Sequence, residues 1–282
     1  MASPRVSIVM LTYNRPQFIG RAIDSIAAQD LSDWELIVVH DGPNQFTRDL
    51  VTARAQSDPR IRYFHRDKGG NIANATNHGL RQARGEFIAI LDDDDYWGRP
   101  DKLSTQVDFL ARNPGYAGCG SGMIVIDEQG AEILRNLKPE SDEEIKRNAL
   151  FANPLAHSTS MYRRAAIEQC GLYDESLAGF QDWDVWLKLG RAGKLYNWPE
   201  YTTYYQLWEG GGSFHAQRRN TESAIAIVKR HGPYYRGYPV ALAMAYSYYA
   251  YARLPIGFRR ATYYSLSRAK KAFFGGKQAP AA

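Results

Sequence analysis

Residues 87–97 read FIAILDDDDYW, an apolar run of five that discharges directly into four aspartates and then an aromatic pair. So short a continuous apolar run predicts a strand buried on both faces, as in a parallel sheet covered by helices. In open sheets of that kind ligands bind outside the carboxyl ends of the strands, which is where these aspartates emerge. Toward the N-terminus the same pattern recurs. Val6–Leu11 (VSIVML) predicts a strand running into Thr12, Tyr13 and Asn14, Trp34–Val39 (WELIVV) a second running into the loop His40-Asp41-Gly42-Pro43, and Ile61–Phe64 a short third. After Pro16 the residues Phe18, Ile19, Ala22, Ile23, Ile26 and Ala27 recur at helical spacing, predicting a helix that ends near Gln29; Gly69–Ala83 predicts a loop and then a helix. Strands alternating with helices predict an α/β fold, a mostly parallel doubly wound sheet flanked by helices. Thr12–Asn14, Asp41 and Asp92–Asp95 should then converge on one rim.

The composition fits a soluble globular chain. Its 282 residues suffice for one large domain or two modest ones, and 44% hydrophobic with 23% charged residues excludes a wholly disordered, collagen-like or multi-span membrane class. The net charge of +5 is uneven: residues 221–282 carry ten Lys/Arg against Glu222 alone, a net +9, which leaves −4 for residues 1–220. Two cysteines, Cys119 and Cys170, form no CxxC pattern, so a disulfide framework and a thiolate cluster are disfavoured and a reducing compartment is expected. The N-terminal apolar stretch of about six residues is too short for a signal peptide, which predicts a cytoplasmic start. The longest uncharged stretch, Gly237–Ala252, is 16 residues, short of the roughly 20 that a spanning helix needs. The first strand–helix turn, LTYNRPQF, has no GxGxxG, and no Walker A sequence occurs, which argues against nicotinamide enzymes and P-loop ATPases.

The middle of the chain is less regular. Met123–Ile126 and Ser158–Tyr162 predict strands, Arg164–Cys170 and Asp182–Leu189 helices, and Glu209-Gly-Gly-Gly-Ser-Phe a loop. Four adjacent aspartates read in two ways. They form a solvated acidic turn, or, being at a strand end, they offer oxygen ligands to Mg²⁺ or Mn²⁺ with a bound diphosphate completing the shell. Asp182, flanked by Phe180, Trp183 and Trp186, is either a general base or a helix N-cap. Trp186 reads as core, and Trp183 as core or as a platform for a sugar ring. His157 opens HSTSMYRR either as a structural histidine or on the acceptor side of a site.

Taken in order, VSIVMLTYNRPQFIGRAIDSIAAQDLSDWELIVVHDG, GGNIANATNHGLRQARGEFIAILDDDDYWGRPDKL, HSTSMYRR and GLYDESLAGFQDWDVWLKL resemble the family 2 inverting glycosyltransferases with the GT-A fold, over roughly residues 5–205. The resemblance implies a nucleotide-sugar-binding half at 1–115, an acceptor-binding half at 116–220 and a basic, Tyr-rich helical C-terminal region at 221–282. It implies that Thr12, Tyr13, Asn14, Arg15, Asp41, Asn71, Asn77, Asp92 and Asp93 bind the nucleotide donor, that Asp94 or else Asp95 holds Mn²⁺ or Mg²⁺, and that Asp182 is the base. His157, Gln181 and Trp183 fall on the acceptor side. The chain departs from the pattern at Ala75-Thr76-Asn77, where the family often carries Ala-Arg-Asn, leaving Arg66, Lys68 or Arg81 to supply a cation. Where many members carry a histidine after the last core strand, Tyr205-Gln-Leu-Trp208-Glu stands instead, with His215 downstream.

The implied activity is transfer of a sugar, UDP-linked by resemblance, to an acceptor hydroxyl by single displacement, the acceptor being a glycan or lipid-linked glycan in envelope or polysaccharide synthesis. The alternatives are a sugar nucleotidyltransferase, disfavoured by a first loop without glycines, and a nucleotide-sugar-binding module without turnover. In the tail Tyr234, Tyr235, Tyr238, Tyr246, Tyr248, Tyr249, Tyr251, Tyr263 and Tyr264 interleave with Arg236, Arg253, Arg259, Arg260, Arg268, Lys270 and Lys271. That composition reads as a peripheral element on the anionic inner face of the cell membrane, or as helices packed on the core or on a second copy in a homodimer. Nucleic acid is not expected, since the acidic remainder would repel it. Deleting residues after about 221 is expected to leave the metal and donor residues in place.

Overall fold

The computed structural model describes residues 3–67, 71–208 and 217–254. Four strands, β1 (Val6–Thr12), β2 (Trp34–Asp41), β3 (Ile61–Arg66) and β4 (Phe87–Ile90), form an all-parallel half-sheet in the order β3-β2-β1-β4. Helices α1 (Pro16–Ala27), α2 (Gln45–Ser57) and α3 (Ile72–Gln82) make the crossovers. Every residue of β2 is buried, so the strand runs through His40 and Asp41, which the sequence had placed in a loop. Alternation divides β1 between two cores: Ile8 and Met10 pack with Ile19, Ile23 and Ile26 of α1, while Val9 joins Ile88, Ile90 and Trp186 on the other side.

Past β4 the sheet becomes mixed. The remaining elements are β5 (Tyr96–Trp97), α4 (Lys102–Arg112), β6 (Tyr116–Ile126), β7 (Glu132–Asn136), α5 (Asp142–Asn148), a 3₁₀ turn at His157–Thr159, β8 (Met161–Arg163), α6 (Arg164–Gln169), α7 (Gln181–Ala192) and β9 (Lys194–Gln206). The full order is β3-β2-β1-β4-β8-β6-β9-β5, with β7 beside β6. β8 runs antiparallel between β4 and β6, and β9 pairs parallel to β6. The expected strand at Ser158–Tyr162 is divided into the 3₁₀ turn and β8. Gly120 lets that turn and β9 press on β6, because a Cβ there would lie 3.2 Å from Thr159 Oγ1 and 2.5 Å from Asn197 Oδ1.

Two helices follow, α8 (Gln217–His231) and α9 (Tyr238–Tyr251). Ile227, Val228, Ala241 and Ala245 build one buried cluster with Trp183, Leu187, Leu150 and Leu177, so this part of the tail belongs to the folded body. The tyrosines and cations expected at 259–271 lie outside the described residues, as do Lys68 and His215. No helix among the described residues is long and apolar enough to cross a membrane.

Candidate active site

Parallel register sets the carboxyl ends of β1, β2 and β4 side by side, Thr12 pairing with His40 and Asp41 with Arg66. Tyr13 is exposed and lies against the end of β2; a Cβ on Gly42 would meet its ring at 2.9 Å. Asn14 adopts a left-handed backbone, φ 56°, which Asn tolerates, and its Oδ1 accepts a hydrogen bond from Asn44 Nδ2 at 3.1 Å. Asp41 is buried beside Arg66, whose Nε lies 3.5 Å away and whose Nη2 donates to Asn74 Oδ1 at 2.5 Å. Arg66 is thus the described cation on this rim, for Arg81 faces Glu175 instead. Behind it, burial and then the neighbouring His65 and Arg48 push His40 down to about 4, so that ring is neutral.

The four aspartates have four different surroundings. Asp95 N donates to Asp92 O at 3.1 Å and closes the turn. Asp92 is partly exposed; its Oδ2 accepts from the Ser158 hydroxyl at 3.3 Å and faces His157 Nδ1 at 3.4 Å. Burial opposes ionisation of Asp92, and His157, Arg15 and Ser158 outweigh it, so its pKa falls below the ordinary value. Asp93 has no exposed surface and pairs with Arg15 Nη2 at 3.0 Å. Burial, helped by Asp94 and Asp92, pushes its pKa up to about 7 despite Arg15. Asp94 Oδ2 accepts from Arg15 Nη1 at 2.5 Å and from the Trp208 indole at 3.0 Å, while its Oδ1 makes no hydrogen bond among the described residues. Asp95 points inward, its Oδ1 accepting from Gln206 N at 3.0 Å and its Oδ2 from Ser158 at 2.5 Å. Burial and the two neighbouring carboxylates raise its pKa well above the ordinary value.

Asp95 thus ties the turn to β9. Asp93 and Thr12 are both buried.

Across the cleft, Asp182 is the second residue of α7, and Phe180, φ 59°, occupies the cap position. Asp182 Oδ1 accepts from Trp183 N at 2.8 Å and its Oδ2 from Asn153 Nδ2. Beside Asp92 stands His157, whose Nε2 is 3.0 Å from the Tyr173 hydroxyl. Burial alone would lower its pKa; Asp92 first and then Asp182 reverse that and raise it. Gln181 is buried, its amide turned to Leu177 O at 3.4 Å. Trp183 is core rather than an acceptor platform: its indole donates to Ala149 O at 2.7 Å, because α7 is clasped between the sheet and α8 and buries residues on both faces.

Asn71 and Asn77 hold a loop. Asn71 caps α3, accepting from Ala73 N, and donates to Glu175 O and Leu177 O, each at 2.9 Å. Asn77 is buried, exchanges hydrogen bonds with Tyr173 N and O, and donates to Glu175 Oε1 at 2.8 Å. These amides fasten the 173–177 loop that leads into α7. Replacing Asn77 by Ala leaves two buried main-chain groups unpaired and is expected to cost about 2 kcal/mol in a urea titration, with nucleotide affinity retained. Lost nucleotide affinity at unchanged stability would restore the donor contact.

Sequence reasoning did not single out Ser158, Tyr173 or the bond from Trp208 to Asp94. Trp208 carried a signal in standing where a histidine is common; Ser158 and Tyr173 carried none.

The glycosyl transferase family 2 model matches residues 7–171, more than half of the chain. The chain belongs to glycosyl transferase family 2. This family 2 chain is 33% identical over 200 residues to an uncharacterised glycosyltransferase of Rickettsia felis, covering 68% of this chain and 32% of that one. It is 30% identical over 217 residues to the putative glycosyltransferase EpsE of Bacillus subtilis, covering 76% of each. It thus spans about a third of the Rickettsia relative's length, and 65% of that of an uncharacterised Methanocaldococcus jannaschii glycosyltransferase to which it is 32% identical.

Solved structures share the GT-A fold. Residues 1–349 of Staphylococcus aureus TarS with UDP-GlcNAc superpose with a TM-score of 0.70 at 17% identity, over 90% of this chain and 77% of that one. The Pyrobaculum calidifontis mannosyltransferase PcManGT with GDP-Man and Mn²⁺ superposes with a TM-score of 0.65 at 21% identity, over 97% and 84%.

A divalent cation fits the family 2 site in one respect and is restricted in another. Asp92 and Asp94 flank the cleft with all-oxygen donors, and Asp94 Oδ1 has no other partner among the described residues, which suits a hard cation that draws its remaining ligands from a diphosphate. Among the described residues no three His, Cys, Asp or Glu side chains gather as a shell, so the protein alone does not complete one.

Proposed function

We propose that this chain transfers a sugar from a nucleotide donor, UDP-linked, to an acceptor hydroxyl with inversion at the anomeric carbon. The observation that carries the reading is the aspartate turn at the end of β4, where Asp94 keeps one carboxylate oxygen without a hydrogen bond among the described residues and Asp92 meets His157. Tyr13, Asn14, Asp41 and Arg66 line the nucleoside side, Arg15 faces the diphosphate, and Asp94 with Asp92 would hold Mn²⁺ or Mg²⁺. The cation would offset charge that builds on the departing diphosphate. Asp182 removes the acceptor hydroxyl proton, while Asn153 and the α7 main chain hold its carboxylate in place.

The acceptor is a glycan or lipid-linked glycan of envelope or polysaccharide synthesis, met at an anionic membrane surface. Support for the surface comes from α9, which has no charged residue and exposes Val240 and Tyr246, and from residues 255–282, which carry six cations and no acid.

A thermal-shift panel of nucleotide sugars with and without Mn²⁺ tests the donor. A matching donor at about a hundred times its Kd should stabilise by about 2.7 kcal/mol, or roughly 5–10 °C for a chain of this size, and only with metal present. No shift with any donor would sink the reading.

A further inference from the structure

Resting on that reading, we propose that Arg15 is a displaceable counter-ion of the aspartate turn. It pairs Asp93 with Asp94 until Asp94 exchanges it for a divalent cation, and the freed end of the guanidinium then turns to the donor's diphosphate. Arg15 begins at the foot of α1, and its fork spans two carboxylates at once, Nη2 to Asp93 at 3.0 Å and Nη1 to Asp94 at 2.5 Å. A guanidinium does not leave such a pair by losing its proton; it leaves when another cation takes the carboxylate.

The two halves of the fork are unequal. Asp93 is wholly buried, with Arg15 as its ion-pair partner and no hydrogen bond of good geometry among the described residues, so it is closed to an incoming cation. Asp94 is partly exposed, has the Trp208 indole as a second donor and keeps Oδ1 open. Exchange is therefore open at Asp94 and closed at Asp93, and Arg15 pivots on Asp93 rather than departing. Its side chain retains some exposure toward the cleft, on the same rim as Tyr13.

Metal affinity is then reduced by the fraction of time that Asp94 is free of Arg15, so a tenfold penalty corresponds to Arg15 holding Asp94 about nine-tenths of the time. A diphosphate that draws Arg15 away removes the penalty, and by reciprocity the metal improves diphosphate binding by the same factor. Sequence alone had placed Arg15 only among donor contacts; a role in setting the order of metal and donor binding follows from the fork.

The probe is Mn²⁺ alone, titrated into the full chain while free Mn²⁺ is followed by electron paramagnetic resonance, with and without UDP. Wild type should bind Mn²⁺ weakly and about tenfold more tightly with UDP. Arg15→Gln should bind Mn²⁺ alone about tenfold more tightly than wild type, and its gain from UDP, now the diphosphate's own ligation without the release of Arg15, should be about tenfold smaller. Arg15→Lys, a point charge unable to span both carboxylates, should fall between, and carries the test should the Gln variant not fold. Mn²⁺ affinity in these variants no higher than in wild type overturns the proposal. If Arg15→Gln tightens Mn²⁺ binding while UDP affects neither protein, the counter-ion stands and the donor reading falls.

Discussion

Asp182→Asn is expected to lower kcat for sugar transfer about a thousandfold while leaving donor affinity and stability near wild type, because general bases typically contribute 10²- to 10⁴-fold. The substitution is close to isosteric. An amide oxygen can still accept from Trp183 N, the bond that Oδ1 makes now at 2.8 Å. On the other side Asn153 donates to Oδ2 while its own Oδ1 is buried without a hydrogen bond. Flipping the Asn153 amide would present that idle oxygen to the new NH₂, so the local network re-forms and the fold has no reason to suffer. The proton acceptor is what disappears. The residues proposed to hold the donor lie on other elements, at the ends of β1, β2 and β4, so donor affinity measured by calorimetry should hold. An unchanged kcat would remove Asp182 from the chemistry; equal losses of kcat and of folded protein would make it a structural anchor of α7.

The parallel half of the sheet was legible because β1, β2 and β4 are buried on both faces and therefore spelled in continuous apolar runs, as in VSIVML and FIAIL. β9 was not legible. It includes Pro199, which argues against a central strand, and it is accommodated only because its register against β6 shifts there: Ser121 pairs with Trp198 and Gly122 with Tyr201. α2 also escaped notice, since it buries only Thr47 and Val51 and shows little apolar periodicity. Within the site, four identical residues cannot be told apart by type. Their roles are set by partners far along the chain: Arg15 for Asp93 and Asp94, Trp208 for Asp94, Ser158 for Asp92 and Asp95, and Gln206 for Asp95. Asn71 and Asn77 were named through the family resemblance alone, and no local signal announced the hydrogen bonds they make. Their partners, the carbonyls and carboxylate of 173–177, lie about a hundred residues away.

Ending the chain at residue 216 is expected to unfold it, whereas ending it at Leu254 should leave the fold intact and remove its attraction to anionic lipid. The sequence had suggested that everything after about 221 was dispensable to the donor residues, and the structure reverses this. Asp184 on α7 has no exposed surface, and its carboxylate takes Arg230 Nη1 at 2.9 Å, His231 Nε2 at 2.8 Å and Lys188 Nζ at 2.8 Å. Burial opposes its ionisation, and His231 and Lys188 outweigh it, lowering the pKa from 3.8 to about 2. A depressed carboxylate stabilises the fold above its unfolded pKa, so this clamp is complete above about pH 4 and is lost as the pH falls toward 2, a term of about 2 kcal/mol. Cutting at 216 removes two of the three partners and leaves a buried charge, which costs about 3–5 kcal/mol. It also removes Ile227 and Val228 from the cluster around Trp183 and Leu187, at about 1.5–3 kcal/mol each. The total, on the order of 6–11 kcal/mol, matches the whole stability of an ordinary domain, about 5–15 kcal/mol. A cooperative melt at the wild-type temperature in the chain ending at 216 would contradict this. The chain ending at Leu254 keeps every contact named above and loses six cations with no acid, each worth about 1 kcal/mol near an anionic surface. It should therefore melt like the full chain yet fail to sediment with phosphatidylglycerol vesicles that the full chain binds. If neither form binds them, α9's uncharged outer face meets a second copy of the chain instead, and the full chain should sediment as a dimer.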